Sequence, residues 1–381
     1  MTVFAVIAGG GTSGHVLPAL AIVEALVERG HDRAEILYMG ARRGVETTLV
    51  PPTGTPAVFD DVIGLQRSWR AWRANLGFLP RLLRARRSAV ARFRADRPAV
   101  VVSVGGYASL PAVLAARRLG VPVVVVSYDR RPGRSSRITS RFATAAATAF
   151  PESPLPRAVH SGAPVRSEIR RLDRVRERDA ARARLDVPTD RFLLVVVGGS
   201  LGSGALNAAV ETLVKQCRDD RTLAVFHVAG DRFVNDVQER MNQVMAERTA
   251  IEAPGMLYRT VGYHERMVDL YASADLLLGR GGAGTVAEIA TVGLPSILVP
   301  WSGAADDHQT ENVRWLSDAG AAILSSDDRI TTDLVSLVDD LRRHPDRLSD
   351  MGARAFHLGE MNRQARVADV VIDVAEGRSP A

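Results

Sequence analysis

Several things are scarce in this chain of 381 residues. It has one cysteine, Cys217, so no internal disulfide forms, which fits a reducing compartment. That cysteine ends the helical run Leu213-Val214-Lys215-Gln216 and is not read as a nucleophile. Lys215 is the only lysine, so almost all of the positive charge is arginine. Glycine, serine and arginine interrupt every apolar run before it reaches the length of a membrane span. Thr2–Ala8 is apolar but lacks a basic leader and runs into glycines, so no secretory signal is expected there. No zinc-knuckle, RNP or helix-turn-helix pattern accompanies the basic charge, and nucleic acid is not expected as a partner.

What is present supports more than one core. The length exceeds that of an ordinary single domain, and 46% hydrophobic residues suffice for each unit to bury its own interior. The formal charge is +6. Carried by arginine, it suits planar anionic partners such as phosphate groups or anionic lipid.

Continuous apolar runs alternate with longer amphipathic stretches. The runs are Val3–Ala8, Glu35–Met39, Val100–Val104, Val121–Val126, Phe192–Val197, Leu223–Ala229, Ala274–Leu278 and Ser296–Val299. Unbroken hydrophobicity marks strands buried on both faces of a parallel sheet, and alternation with helices marks βαβ units. The pattern starts twice. Val3–Ala8 leads into Gly9-Gly10-Gly11-Thr12-Ser13-Gly14, and Phe192–Val197 leads into Gly198-Gly199-Ser200. An α/β chain of two doubly wound, Rossmann-like domains facing each other across a cleft is expected. The boundary falls near Ser161-Gly162-Ala163-Pro164, with Arg166–Asp190 as the first helix of the second domain and its approach loop.

Gly9, Gly11 and Gly14 satisfy G-x-G-x-x-G after a strand, a dinucleotide signature. The acid expected near the end of the second strand is missing from Met39-Gly40-Ala41-Arg42-Arg43, which leaves an NADP site on Arg42 or Arg43 as one reading. The other is a diphosphate held by amides at a helix N-terminus. His15 opens that helix as either a packing residue or a neutral general base. Gly105-Gly106-Tyr107 repeats the strand-loop-helix arrangement, and two such loops on one sheet form an anion-binding crevice. In the second half, Gly281–Gly284 follows a strand, and Glu288 lies one turn into the next helix. A carboxylate there suits ribose hydroxyls, against the plainer reading of a helix-surface glutamate. Asp306, Asp307 and His308 allow a metal site, or contacts to sugar hydroxyls with Gln309.

These residues resemble the MurG family of glycosyltransferases. The resemblance rests on Gly10–His15, Gly105-Gly106-Tyr107, Gly162–Arg166, Gly198-Gly199-Ser200 and the block from Gly281 to Asn312. It implies a GT-B fold without a catalytic metal or other cofactor. The implied activity is transfer of N-acetylglucosamine from UDP-GlcNAc to lipid I, giving lipid II in peptidoglycan synthesis. By motif, Thr12, Ser13, Gly14, Asp129, Arg166, Ser200, His264, Ala283, Gly284, Thr285, Val286, Ala287, Glu288 and Gln309 would contact the donor. His15 would be the base, with Asp129 as its alternative, and Arg166 would neutralise the departing diphosphate. The lipid-linked diphosphate would lie on the two N-terminal glycine loops, at Gly105, Gly106 and Tyr107 among others. On this reading residues 1–163 form the acceptor domain and 164–355 the donor domain, with a helix at about 356–381 packing back on the first.

The chain departs from the family pattern in three places. Ser13 replaces a glycine and Ala163 an asparagine, and Val126-Ser127-Tyr128-Asp129 stands where the family reads His-Glu-Gln-Asn. The altered run leaves two alternatives to lipid I turnover: a different glycolipid or small acceptor, or a catalytically silent nucleotide-sugar-binding partner of wall-synthesis enzymes. Finally, Trp69–Arg73, Leu76, Phe78, Leu79, Leu82 and Leu83 are interleaved with Arg81, Arg84, Arg86 and Arg87. Such a stretch either lies on an anionic membrane surface, at the cytoplasmic face as the family implies, or packs on its own sheet.

Overall fold

The computed structural model describes residues 3–64, 75–199, 201–246, 255–303 and 307–380. Two compact units emerge. One is Met1–Ser167 together with Met361–Ala381, the other Glu168–Glu360.

The first unit holds strands β1 (Ala5–Gly9), β2 (Ile36–Ala41), β3 (Ala57–Asp60), β4 (Val100–Gly105), β5 (Val123–Ser127), β6 (Ala145–Thr148) and β7 (Ala158–His160). They pair in the order β3-β2-β1-β4-β5-β6-β7, all parallel. β1, β4 and β5 are rich in valine and alanine and buried along their whole length. That is the pattern of strands covered on both faces. Strand order reverses between β1 and β4, so the chains leaving their carboxyl ends diverge and open a crevice there.

The chain leaves this unit and returns to it through a tight seam. Gly162 adopts φ 72° with its α-carbon against the backbone of Met361, and Asn362 Oδ1 accepts the amide of Ala163 at 2.8 Å. Beyond Ala365, whose φ is 51°, helix Val367–Ala375 packs on β4, β5 and β6. Its Asp369 forms a paired ion contact with Arg29, both bonds at 3.0 Å.

The second unit holds β8 (Phe192–Val197), β9 (Leu223–Val228), β10 (Leu257–Val261), β11 (Leu276–Arg280), β12 (Ser296–Val299) and β13 (Ala322–Leu324). Their order is β10-β9-β8-β11-β12-β13, again all parallel, with the reversal between β8 and β11.

Three details differ from the expectation from sequence. β11 begins at Leu276 rather than Ala274, because Ala274 still caps the helix Met267–Ser273 and Asp275 is pinned by Arg182 at 2.7 Å and Arg178 at 3.0 Å. The single helix expected after Arg166 is two, Ser167–Arg170 and Arg174–Arg184. Asp173 restarts the second by accepting the Arg176 amide. Arg166 itself belongs to the first unit.

Candidate active site

At the switch point of the first unit the loops after β1 and β4 interlock. Gly10 and Gly11 have φ of 152° and 95°, which turns the chain sharply into helix Ser13–Glu28. Gly106, at φ 73°, brings its α-carbon so close that a Cβ there would stand 2.6 Å from the Gly10 carbonyl oxygen. Only glycine fits that approach. The ring of Tyr107 lies under Gly11, where an added Cβ would meet it at 2.9 Å.

His15 sits in this junction. Its Nδ1 is 3.1 Å from the hydroxyl of Thr12, the residue preceding the helix, and its Nε2 edge faces Gly105. Burial pushes the imidazole below its usual pKa, opposed by the charges of Asp129 and Glu46. The neutral ring is therefore the resting form near pH 7. Asp129, half-buried after β5, is close enough to act on His15 electrostatically. Its neighbour Tyr128 is buried and donates to the Gly14 carbonyl at 2.6 Å. Ser13 and Gly14 form the first turn of the helix, and no side chain caps that end. Arg166 is half-buried beyond β7; the next residue, Ser167, gives its amide to Glu24 at 2.7 Å.

The junction depends on residues outside the glycine motifs. Tyr38 donates to the Gly9 carbonyl at 2.8 Å. Glu46, fully buried, accepts the amides of Gly11 and Ala41. The acid sought near the end of β2 thus exists three residues past Arg43, but both its oxygens face the loop's own backbone. Its signal in the sequence is the Gly-rich run Gly40–Gly44 just before it.

In the second unit, β11 delivers Gly281 and Gly282 to helix Ala283–Val292, whose start again has no side-chain cap. Its first amides are available to an anion. Gly284 is exposed, and Ala283 and Thr285 are partly so, whereas the side chains of Val286 and Ala287 are core. Those two can meet a ligand only through the backbone. Glu288 is half-buried and accepts from the hydroxyl of Tyr271 at 2.6 Å, an anchor absent from the motif. Helix His308–Ser317 abuts the same loop, since a Cβ at Gly281 would stand 2.8 Å from the Gln309 carbonyl oxygen. The Gln309 side chain accepts the Trp301 amide at 2.9 Å. His264 follows β10 with its ring edge-on to Phe226 at 5.5 Å, its Nε2 makes no hydrogen bond among the described residues, and burial lowers its pKa. Ser200 and Asp306 lie outside the described residues.

Trp69–Arg73 also lies outside them, but the remainder of that basic stretch is clear. Leu76, Leu79 and Leu83 are 66%, 58% and 40% exposed, so these leucines are not core. Beside them runs a groove of about 370 Å³ lined by Arg86, Arg87, Arg94 and Arg118 with Leu83 and Val90. None of the four arginines makes an ion pair among the described residues.

Comparison with known proteins agrees with this layout. The glycosyltransferase family 28 N-terminal domain matches residues 5–148 and the family 28 C-terminal domain residues 193–371. A protein of Desulforudis audaxviator is 36% identical over 377 residues, covering 97% of each chain. One of a Nocardioides species is 37% identical over 374 residues, covering 98% of each. Both are named UDP-N-acetylglucosamine–N-acetylmuramyl-(pentapeptide) pyrophosphoryl-undecaprenol N-acetylglucosamine transferase. Among solved structures, MurG of Acinetobacter baumannii matches with a TM-score of 0.73 and 27% identity over 97% of this chain and 99% of that one. The UDP-GlcNAc 2-epimerase of Neisseria meningitidis, at TM-score 0.66 and 13% identity over 98% and 99%, shares the fold alone. The architecture is GT-B, and the chain belongs to the MurG family within glycosyltransferase family 28.

Proposed function

We propose that this chain transfers N-acetylglucosamine from UDP-N-acetylglucosamine to N-acetylmuramyl-(pentapeptide) pyrophosphoryl-undecaprenol, inverting the anomeric carbon by direct displacement. The observation that carries the reading is full-length kinship with enzymes named for that reaction, combined with a neutral His15 in the crevice of the first sheet. With Nδ1–H donating to Thr12, the Nε2 lone pair accepts the proton of the attacking hydroxyl. The hydroxyl oxygen bonds to the anomeric carbon as the bond to the β-phosphate oxygen breaks, and UDP departs. Its charge is met by the uncapped amides at Ala283–Thr285 and by Arg166. Glu288 receives the ribose hydroxyls, and Thr12, Ser13, Gly14, Asp129, Ser200, His264 and Gln309 complete the donor contacts. The lipid diphosphate occupies the loops at Thr12–Gly14 and Gly105–Tyr107.

The acceptor is anchored in lipid, and the arginine groove with its exposed leucines supports peripheral seating on an anionic membrane, at the cytoplasmic face. No described helix is long and apolar enough to cross a membrane.

One observation favours a second reading. Tyr128 and Asp129 stand where the family keeps amides, beside His15, and a carboxylate there suits a different acceptor hydroxyl. Turnover of UDP-GlcNAc with synthetic lipid I, run beside a panel of other glycolipid and soluble acceptors, tests both. Transfer to lipid I alone supports the first reading, and transfer only to another acceptor replaces it with the second.

A further inference from the structure

Beneath the first glycine loop lies a carboxylate that no step above uses. Glu46 is 0% exposed. Its Oε1 accepts the Ala41 amide at 2.7 Å and the Gly11 amide at 3.1 Å, and its Oε2 accepts the same Gly11 amide at 3.0 Å. Three glycines make room for it. A Cβ at Gly10 or Gly44 would overlap the carboxylate, and one at Gly40 would stand 2.9 Å from Glu46 Cγ. The backbone of Gly44 lies outside the left-handed region, so glycine there serves space and not conformation.

Burying a carboxylate is costly unless amides and a nearby positive charge compensate it. The amides of Gly11 and Ala41 supply the first kind of compensation. The group nearby that gains positive charge during the reaction is His15, on which the Glu46 charge already acts. We propose that Glu46 is a positioning residue: it fixes the Gly9–Gly14 turn through the Gly11 amide, seats His15 in the interlocked loops, and steadies the imidazolium formed when His15 takes the acceptor's proton. This rests on the reading of His15 as the base.

The groups facing His15 separate the contributions. Asp129 and Glu46 are the charges acting on the ring. Tyr128 stands edge-on to it at 6.5 Å. Burial raises the pKa of the phenols Tyr38, Tyr107 and Tyr128, so they stay neutral through the working range. Both charges favour protonated His15. Removing Glu46's charge therefore lowers the pH at which the ring protonates, and the acid limb of the rate profile moves down.

The test uses the full chain, synthetic lipid I and UDP-GlcNAc, with calorimetric UDP affinity as a control. Glu46→Gln keeps the size, removes the charge and sets an NH2 donor in place of one of the two oxygens that accept the Gly11 amide, so the turn carrying His15 is disturbed as well. Its turnover is expected to fall by about 10²-fold, the scale for a misplaced reacting group. Its UDP affinity stays parental, and the acid limb of kcat/KM shifts to lower pH. Glu46→Asp keeps the charge but loses the reach to both amides, so turnover falls while the limb stays in place. Should Glu46→Gln fail to fold, Glu46→Asp decides. Parental turnover with a parental acid limb in either folded variant overturns the inference, provided His15→Ala is impaired in the same assay. Parental turnover of His15→Ala itself overturns the base reading, and this inference with it.

Discussion

The hydroxyl of Tyr128 supplies the hydrogen bond that Pro18 cannot. Pro18 lies inside helix Ser13–Glu28 and has no amide hydrogen, which leaves the Gly14 carbonyl four residues back without its helical donor. Tyr128 donates to that carbonyl at 2.6 Å. The first turn of the helix, with His15 on it, is thus tied to the chain leaving β5.

Tyr128→Phe therefore strands a carbonyl. Gly14 is exposed and the bond part-buried, so the expected loss of stability is about 0.5–1.5 kcal/mol, the net worth of an ordinary hydrogen bond. It is read as a lowered melting temperature of the first unit. Turnover is expected to drop as well, with UDP affinity unchanged. An unaltered melting temperature shows that water fills the place of the phenol.

His15→Ala is expected to lower turnover by about 10²–10⁴ with donor affinity intact, the range for a lost general base. Asp129→Asn is expected to lower turnover less than His15→Ala if His15 is the base, since it removes a charge acting on the ring and not the base itself. The reverse pattern, an inactive Asp129→Asn and an active His15→Ala, transfers the role to the carboxylate. The pH sign follows from burial. The His15 pKa lies below 6.5, so the parent keeps its unprotonated base to slightly acid pH and loses activity only below that.

Glu288→Ala is expected to weaken UDP-GlcNAc binding by about tenfold or more, as loss of a charge-assisted bond of about 1.5–3 kcal/mol implies. Tyr271→Phe frees the carboxylate from its 2.6 Å partner and weakens binding by less. Calorimetry on both variants checks the order. Parental affinity for Glu288→Ala removes that residue from the donor site.

The arginine groove makes a salt-sensitive prediction. Vesicles containing anionic lipid retain the protein at low salt and release much of it at high salt, since screening shortens the reach of exposed charges. The double change Arg87→Glu with Arg118→Glu reduces retention, and Leu76→Glu with Leu79→Glu does so even at low salt. Donor affinity stays parental in both. Undiminished retention assigns membrane contact to another face.

Acid sensitivity has a named origin in the second unit. His227 is fully buried between Tyr258 and Asn207, each at 2.9 Å, and burial lowers its pKa to about 4. Unfolded, it titrates near 6.5, so between those values the unfolded chain binds the extra proton. Stability is then full above about 6.5 and falls as pH drops toward 4. At pH 5 the loss is about 2 kcal/mol from this group. Urea unfolding at pH 7 and pH 5 measures it, and His227→Gln should show a flatter dependence.

Much of this architecture is legible in the sequence. Each strand-glycine-helix start is a local pattern, so the loops at Gly9–Gly14, Gly105–Tyr107 and Gly281–Gly284 can be read off it, as can both parallel sheets. The strands without a clear signal are short or weakly apolar, such as Ala145–Thr148 and Ala158–His160. The supports of the site are hidden for a different reason. Glu46 meets Gly11 across 35 positions, Tyr128 meets Gly14 across 114, and Tyr271 and Glu288 stand on different helices. No periodicity links such pairs; only the packed sheet order does.

The seam at Gly162 and Asn362 has a consequence for how the chain is made. The second unit is continuous in sequence, whereas the first needs its last helix, Val367–Ala375, to cover β4, β5 and β6. On the ribosome, where synthesis runs at roughly 5–20 residues per second, the N-terminal sheet emerges first yet waits tens of seconds for that covering. The unit begun last is the first that can be completed. A nascent chain stalled near residue 360 would expose the alanine and valine face of β5 and β6.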